Sequence, residues 1–506
     1  LGNNSGKTDV LDSAEDIKTF LENLSSPLDR TSNEVSIILA AGHGKRIKSE
    51  KSKMLHEIWG KPSVWRVSEA AQKGLSSSNQ IIVVGKKAID VSRALGKKKN
   101  RAFVLQSEQK GTGDAVRTAL SYKGLSSFDG VVYVFPGDMG LLTESTVADL
   151  KKDFKNCGCD MIVMTGFFKG DISENYYGRI VKSKQNGDQI IEIKEHRDIL
   201  AMDPGSSYSV RYRRKKETCT REELLAIREF NVGVYAFTAG NLKRLIDTIQ
   251  SDNVQGEIYI TDLIKIYNDD GLKVCSSKVE NSDLVVSFNV KSVLKKMGAT
   301  FRAMVYEKLK DIITIDDPED FFIAGEVVNK ILEMDKSHPT LNMRIGKGAY
   351  IDEGVAINRG LTVERNVILR GIVRIGRNVT IGENVSISNF PGQVVEIGDD
   401  SVILRGNVIK GSVRIGSNVH IETGVRITGS SEEPVVIGNN VLIKGITYIF
   451  GTIIENDILI EHSILKSKYV EKVIRKNGEV QPVKYILPYP EGLDSITDSR
   501  RGQSGG

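Results

Sequence analysis

Three short segments carry side chains suited to phosphate, a base and a metal ion. The first is Leu39-Ala40-Ala41-Gly42-His43-Gly44-Lys45-Arg46, with Ser52-Lys53 shortly after it. Small residues let backbone N–H groups come close to a phosphate chain, and a helix start after such a turn adds its dipole. Arg46 and Lys53 then supply positive charge. The second is Gln106-Ser107-Glu108-Gln109-Lys110-Gly111-Thr112-Gly113. Its glycines allow close approach to a flat base, and Gln106 offers both a donor and an acceptor, as reading the edge of uracil requires. The third is Phe135-Pro136-Gly137-Asp138, whose aspartate is placed to hold Mg2+ against phosphates. Taken singly these are weak signals. A lone Gly-x-Gly matches neither the dinucleotide fingerprint nor the P-loop, and a single turn aspartate is structural more often than not. The first turn gains weight from following a strand directly.

The strands that would position these segments are legible. Val35 to Ala41, Ile81 to Val84 and Val131 to Phe135 are apolar runs, each ending at a glycine-containing turn, with helical spacing between them, as around Ala115 to Leu120. Such alternation predicts a Rossmann-like, mostly parallel mixed sheet covered on both faces, with ligands at the carboxyl ends of its strands. Ahead of it, residues 1–34 are a polar extension. There Ser13 starts a short helix that carries Ile17, Phe20, Leu21 and Leu24 on one face.

From Arg344 the chain becomes a repeat. Ile345, Ile351, Ile357, Val363, Leu369, Ile375, Ile381 and Ile387 recur every six residues. After a slip of four around Phe390-Pro391-Gly392 the ladder resumes at Ile397, Ile403, Ile409, Ile415, Ile421 and Ile427, slips again, and continues at Ile437 and Ile443. A hexapeptide period predicts a left-handed parallel β-helix, a triangular prism with the aliphatic side chains stacked inside. Rungs of the form Ile375-Gly376-Arg377-Asn378 put glycine and asparagine at turn positions open to positive φ. The expected division is a polar extension (1–34), an α/β domain (35–296), a helical linker (297–343), the β-helix (344–466) and a tail (467–506).

Bulk properties narrow the function classes. The 506 residues call for two or three domains. A net charge of +5 does not argue for nucleic acid. No apolar run reaches a membrane span and no secretory pattern opens the chain, so no membrane partner is expected and a cytoplasmic location is. Basic runs at Lys97-Lys98-Lys99 and from Arg211 to Lys216 read as solvated loops, with the second alternatively near an anionic substrate. The four cysteines form no convincing disulfide framework, and Cys157-Gly158-Cys159 offers too few ligands for zinc, so all four read as ordinary thiols.

From Val35 to about Leu294 these motifs, in this order, resemble the bacterial UDP-N-acetylglucosamine pyrophosphorylases, a sugar-nucleotidyltransferase family. The resemblance implies that Leu39, Ala40, Ala41, Gly42 and Gly44 bind the triphosphate of UTP, with Arg46 and Lys53 as catalytic cations. It implies that Gln106, Gly111 and Thr112 read the uracil, and that Asp138 and Asn289, in Ser287-Phe288-Asn289-Val290, hold Mg2+. Gly178 and its neighbours Tyr177, Arg179 and Ile180, with Glu195 and Asn231, resemble the residues that hold the sugar of a sugar 1-phosphate. The stretch from Gln255 to Asp262 resembles one lining the same pocket. Three features depart from that family: Ser52 where proline is usual, Met139-Gly140 after the aspartate, and a longer, more basic segment after Glu195.

In bifunctional members of that family the β-helix is an acetyltransferase, but its histidine-bearing and Asn-Tyr-Asp-Gly elements are absent here. His420 and His462 read as turn residues, and the prism reads as a module that forms a homotrimer. The expected function is uridylyl transfer from UTP to a sugar 1-phosphate. The alternatives are acyl transfer through the β-helix and a non-catalytic nucleotide-sugar-binding regulator.

Overall fold

The computed structural model describes residues 13–42, 44–184, 189–212, 215–250 and 256–486. The chain divides into two compact units, Leu1–Gly298 and Ala299–Gly506.

The first unit is built on a nine-stranded sheet. Its strands are β1 (Glu34–Ala40), β2 (Gln80–Val84), β3 (Arg101–Leu105), β4 (Val131–Pro136), β5 (Met161–Phe167), β6 (Arg179–Lys182), β7 (Ile190–Lys194), β10 (Glu229–Thr238) and β11 (Val274–Lys278). A separate hairpin joins β8 (Ser207–Tyr212) to β9 (Lys215–Thr220). The main order is β11-β5-β10-β4-β1-β2-β3, with β6 against β10 and β7 against β6. Strands β3, β2, β1 and β4 are parallel, whereas β10 runs antiparallel to both β4 and β5. The chain thus leaves β1 in one direction to make β2 and β3, then returns to β1's other side as β4. That reversal opens a crevice at the strand carboxyl ends, where ligands of α/β sheets sit.

Strands β1, β2 and β4 are apolar on both faces because helices cover both. On one face α2 (Ser63–Leu75) buries Val64, Val67, Ala71 and Leu75, α3 (Ala88–Leu95) buries Val91 and Leu95, and α5 (Glu144–Cys157) buries Val147, Leu150 and Phe154. On the other, α4 (Thr112–Leu120) contributes Ala115, Val116 and Ala119. The extension folds onto this body. In α1 (Ala14–Leu24) the Ser13 hydroxyl accepts from the Asp16 N–H, and Leu21 is buried with Ile17, Phe20 and Leu24 packed beside it. Ser26 N–H then bonds to Arg101 O at 2.7 Å, so the segment covers the otherwise open edge at β3.

One expectation fails. Cys157 and Cys275 are joined as a disulfide, and only Cys159 and Cys219 are free. The two partners lie 118 residues apart, and only the pairing of β11 with β5 brings them together.

The second unit is the left-handed parallel β-helix, with sheets of eight, eight and seven short parallel strands. Each six-residue step turns one corner, so side chains eighteen residues apart stack, as Ile345 does on Val363 and Val363 on Ile381. All the rungs named above are buried. Both four-residue slips fall at the same corner, at Phe390–Gln393 and Ser430–Glu433, where short loops close on themselves and the ladder continues in phase. The Ile-Gly-x-Asn form has two physical reasons. A Cβ on Gly416 would stand 2.5 Å from Asn439 Oδ1 of the next coil. Asn378, Asn418 and Asn440 take φ of 55–58°, which asparagine tolerates better than most residues. Their amides stack along the edge, from Asn418 to Asn440 at 2.9 Å and from Asn440 to Asp457 at 2.8 Å. Strands Thr314–Ile315 and Phe322–Ile323, within the segment read as a linker, already pair with this prism, and helix Gly325–Ser337 lies between them and the first repeat. After the last coil, Val483 N–H bonds to Leu459 O, and Ile464 N–H to Tyr485 O, covering the free edges of two of the three sheets.

Candidate active site

The three segments meet where the sheet reverses. The glycine turn leaves β1 and doubles back over Lys53. A Cβ on Gly44 (φ 69°) would come within 2.7 Å of the Lys53 Cβ, so only glycine fits there. Lys53 opens a 3-10 turn that Ser52 caps, its Oγ accepting from Met54 N–H. Serine therefore does a local structural job at this position, one of the departures noted above. Behind it Asp138 follows β4, with Gly137 N–H bonded to Leu39 O at 2.9 Å. Met139 is buried in the core, and a Cβ on Gly140 would meet Ile58 at 2.5 Å, so the Met139-Gly140 departure is explained by packing.

The centre of the crevice is a buried charge cluster. Lys53 and Asp138 are 7% and 8% exposed. The Lys53 ammonium donates to Asp138 Oδ2 and, at 2.8 Å, to Asn289 Oδ1, and lies 5.5 Å from the centre of the Phe288 ring. A carboxylate oxygen and an amide oxygen thus converge on one cation. These are hard oxygen donors, the type a divalent ion such as Mg2+ takes. Arg46 is exposed beside the turn, on the short helix Lys45–Ile47.

The second segment lies on the other side of β1. Gln109 Nε2 donates to Ala41 O, which ties it to the glycine turn. Gln106 is buried, and its Nε2 donates to Asp114 Oδ2 at 2.8 Å and to Gly111 O at 3.3 Å. Its donor is therefore committed within the loop, which leaves its oxygen to accept from a ligand. Asp114, which sequence reasoning did not single out, sets that orientation. Gly111 has φ 112°, and a Cβ there would strike Ile258 O at 2.5 Å. Thr112 Oγ1 accepts from Ile260 N–H at 3.2 Å, so the loop rests on the stretch that ends at Asp262. Gln255, at the start of that stretch, lies outside the described residues, as does His43.

Gly178, Glu195 and Asn231 come together from three elements. Asn231 N–H donates to Gly178 O at 2.9 Å, and a Cβ on Gly178 would stand 3.1 Å from Glu195 Oε1. The pairing of β10 with β5 shifts register between Asn231 and Tyr235, and the Asn231 side chain bonds Gly233 N–H and the Tyr235 hydroxyl there. Arg179 differs from its neighbours. It is fully buried, donates to Asn175 and to Tyr177 O, and acts as an internal strut. Burial, with Asp198 and Asp262 nearby, pushes the Glu195 carboxyl up to about 7. Burial and neighbouring Glu192 and Asp198 push Asp262 up to about 6. The hairpin β8–β9 borders this acidic group, where Tyr208 donates to Glu192. Within the basic run, Arg213 and Arg214 fall outside the described residues.

An α/β sheet with a glycine turn and an oxygen-donor pair at its point of reversal, followed by a β-helix, defines a nucleotidyltransferase-type fold joined to a hexapeptide prism. The family model of the MobA-like NTP transferase domain matches residues 36–170. The chain is 32% identical over 293 residues to a protein named Bifunctional protein GlmU from Clostridium acetobutylicum, covering 58% of each chain. It is also 32% identical over 295 residues to one from Acetivibrio thermocellus, covering 58% of this chain and 57% of that one. The matches thus span a little over half the length of these relatives. Among solved structures, a UDP-glucose pyrophosphorylase complexed with UDP-glucose is 16% identical with a TM-score of 0.39, covering 53% of this chain and 98% of that one. No described helix is long and apolar enough to cross a membrane.

Proposed function

We propose that the first unit transfers a uridylyl group from UTP to a sugar 1-phosphate, N-acetylglucosamine 1-phosphate first among the candidates, and releases pyrophosphate. The observation that carries this reading is the convergence of Asp138 and Asn289 oxygens on the Lys53 ammonium, at the sheet reversal, between the glycine turn and Gln106. A phosphate oxygen of the sugar phosphate attacks the α-phosphorus in line, forming an O–P bond as the bond to the pyrophosphate oxygen breaks. The nucleophile is already an anion, so no strong base is needed. The turn amides and Arg46 hold the leaving phosphates, and Lys53 neutralises charge at the α-phosphate. Asp138 and Asn289 would hold Mg2+, which supplies Lewis-acid stabilisation of the phosphate oxygens when bound. Gln106 accepts from the base through the oxygen that its bond to Asp114 leaves open. Gly178, Glu195 and Asn231 hold the sugar. The test is pyrophosphate release with Mg2+, UTP and a panel of sugar 1-phosphates. Release with one sugar supports the reaction and names its substrate, and silence across the panel with UTP binding intact favours the non-catalytic regulator.

Glu195 links this pocket to pH. A carboxyl raised from 4.5 to about 7 binds a proton in the folded protein that the unfolded chain has lost between those values. Its contribution to stability therefore falls as pH rises from about 4.5 through about 7, by roughly 3 kcal/mol. Glu195→Gln should be more stable relative to the parent at pH 8 than at pH 5 in paired denaturant titrations. A difference that stays flat with pH removes the raised carboxyl.

The prism we assign to self-association in threes. Ile368, Val408, Tyr448 and Ile464 project outward from four strands of one sheet, with Ser386 and Arg426 between them in register, and are 36–39% exposed. Sedimentation equilibrium should give a trimer, and the double substitution Ile368→Glu with Tyr448→Lys should give monomers whose turnover per chain is kept. A parent that sediments as a monomer defeats the assignment.

A further inference from the structure

Three of the four cysteines converge on one point. Cys157 ends α5, Gly158 follows in the left-handed region at φ 56°, and Cys159 leads into β5. That glycine turns the chain so that two thiols two residues apart serve the same space. The third arrives along β11, where Cys275 lies opposite Ile162. The sulfurs of Cys157, Cys159 and Cys275 all lie within 4.8 Å of one another. The Cys157–Cys275 disulfide accounts for two of them. It gives no reason for Cys159, buried and free, to bring its sulfur to the same point. Three thiolates on a tetrahedral cation, with metal–sulfur bonds of about 2.3 Å, stand roughly 3.8 Å apart, a spacing this cluster admits. The positively charged Lys273 side chain bonds Cys157 O at 2.5 Å and offsets part of the negative charge that three thiolates bring.

We propose that the reduced cluster binds one soft, thiophilic cation of the Zn2+ and Cd2+ class through the Cys157, Cys159 and Cys275 thiolates, with the fourth position left to water. Soft sulfur donors select such ions over Mg2+. Access to the site begins with a dithiol reductant. The Cys157–Cys275 S–S bond breaks, the dithiol supplies two electrons and two protons, and it closes to its own disulfide. The cation then displaces three thiol protons to the buffer. None of the three cysteines takes part in the uridylyl transfer proposed above, so this site stands or falls without it.

The test is an anaerobic Cd2+ titration of the dithiol-reduced full chain, freed of excess reductant and followed by the ultraviolet thiolate-to-cadmium charge-transfer band, whose intensity counts sulfurs. One equivalent with three-sulfur intensity is expected. Cys159→Ser should weaken binding at least tenfold and leave a two-sulfur band, while Cys219→Ser changes nothing. Absence of the band, or a band indifferent to Cys159→Ser, overturns the proposal. Alkylation of the reduced parent, mapped by mass spectrometry, needs no variant. Cd2+ should shield Cys157 and Cys275 while Cys219 stays reactive, and equal labelling with and without Cd2+ also overturns it.

Discussion

Asp138→Asn should lower turnover about a thousandfold, close to 4 kcal/mol of barrier, without unfolding the domain. The substitution keeps size and an oxygen acceptor, so the Lys53 ammonium retains both of its partners, the second being Asn289. What is lost is the negative charge on which the hold of this pair on a divalent ion depends. An alanine would confuse the result, because it removes the oxygen acceptor of the buried ammonium as well as its counter-charge and leaves a cavity beside it. The measurements are kcat from pyrophosphate release, Mn2+ binding by calorimetry, and the melting curve of both proteins. Turnover within a few-fold of the parent, with metal binding kept, removes Asp138 from the site. Lost activity with a collapsed melting curve would make the residue structural.

Ile421→Ala should destabilise the prism by about 3 kcal/mol. Ile421 is fully buried and stacks between Ile403 and Ile443 in one sheet, so truncation opens a cavity on an axis with no room to collapse. Coils contact chiefly their neighbours, so the loss weakens the stack on both sides of the cavity. Thr423→Ala, at an exposed turn position two residues along, should change stability by less than about 0.5 kcal/mol. The readout needs care, because the chain's two tryptophans, Trp59 and Trp65, both lie in the first unit. Far-ultraviolet circular dichroism in denaturant reports both units, and the part of the transition that tryptophan fluorescence does not follow belongs to the prism. A midpoint unmoved by Ile421→Ala would mean that the rung does not carry the core.

The prism was the most legible part of the chain, because the side-chain period and the geometric period coincide. Ile345, Ile351 and Ile357 each mark one face, and a four-residue slip is visible as a change of phase. The strands β1, β2 and β4 and the segments after β1 and β4 were legible for a similar reason, since local apolar runs end at glycines. What stayed hidden depends on pairing between distant residues. Nothing local says that β10 inserts antiparallel between β4 and β5, yet that insertion sets Asn231 beside Gly178. Nothing near Gln106 says that Asp114, in the first turn of the next helix, takes its donor. Arg179 shared its segment with Gly178, and only burial shows it to be a strut. Cys275 was unreadable as a partner because strand pairing brings it to Cys157 across 118 residues.

The segment that runs along the last coil has a consequence for how the chain behaves in a crowd. A stack of parallel strands has no inherent length, and a bare terminal coil is a growth face on which another chain could continue the pattern. Here Val483 and Tyr485 occupy hydrogen-bonding positions on two of the three sides of that face, so the column is stoppered there by its own chain. Proteolytic removal of the residues beyond Gly478 would unstopper it, and the clipped protein would become a seed for end-to-end fibres rather than merely a shorter column.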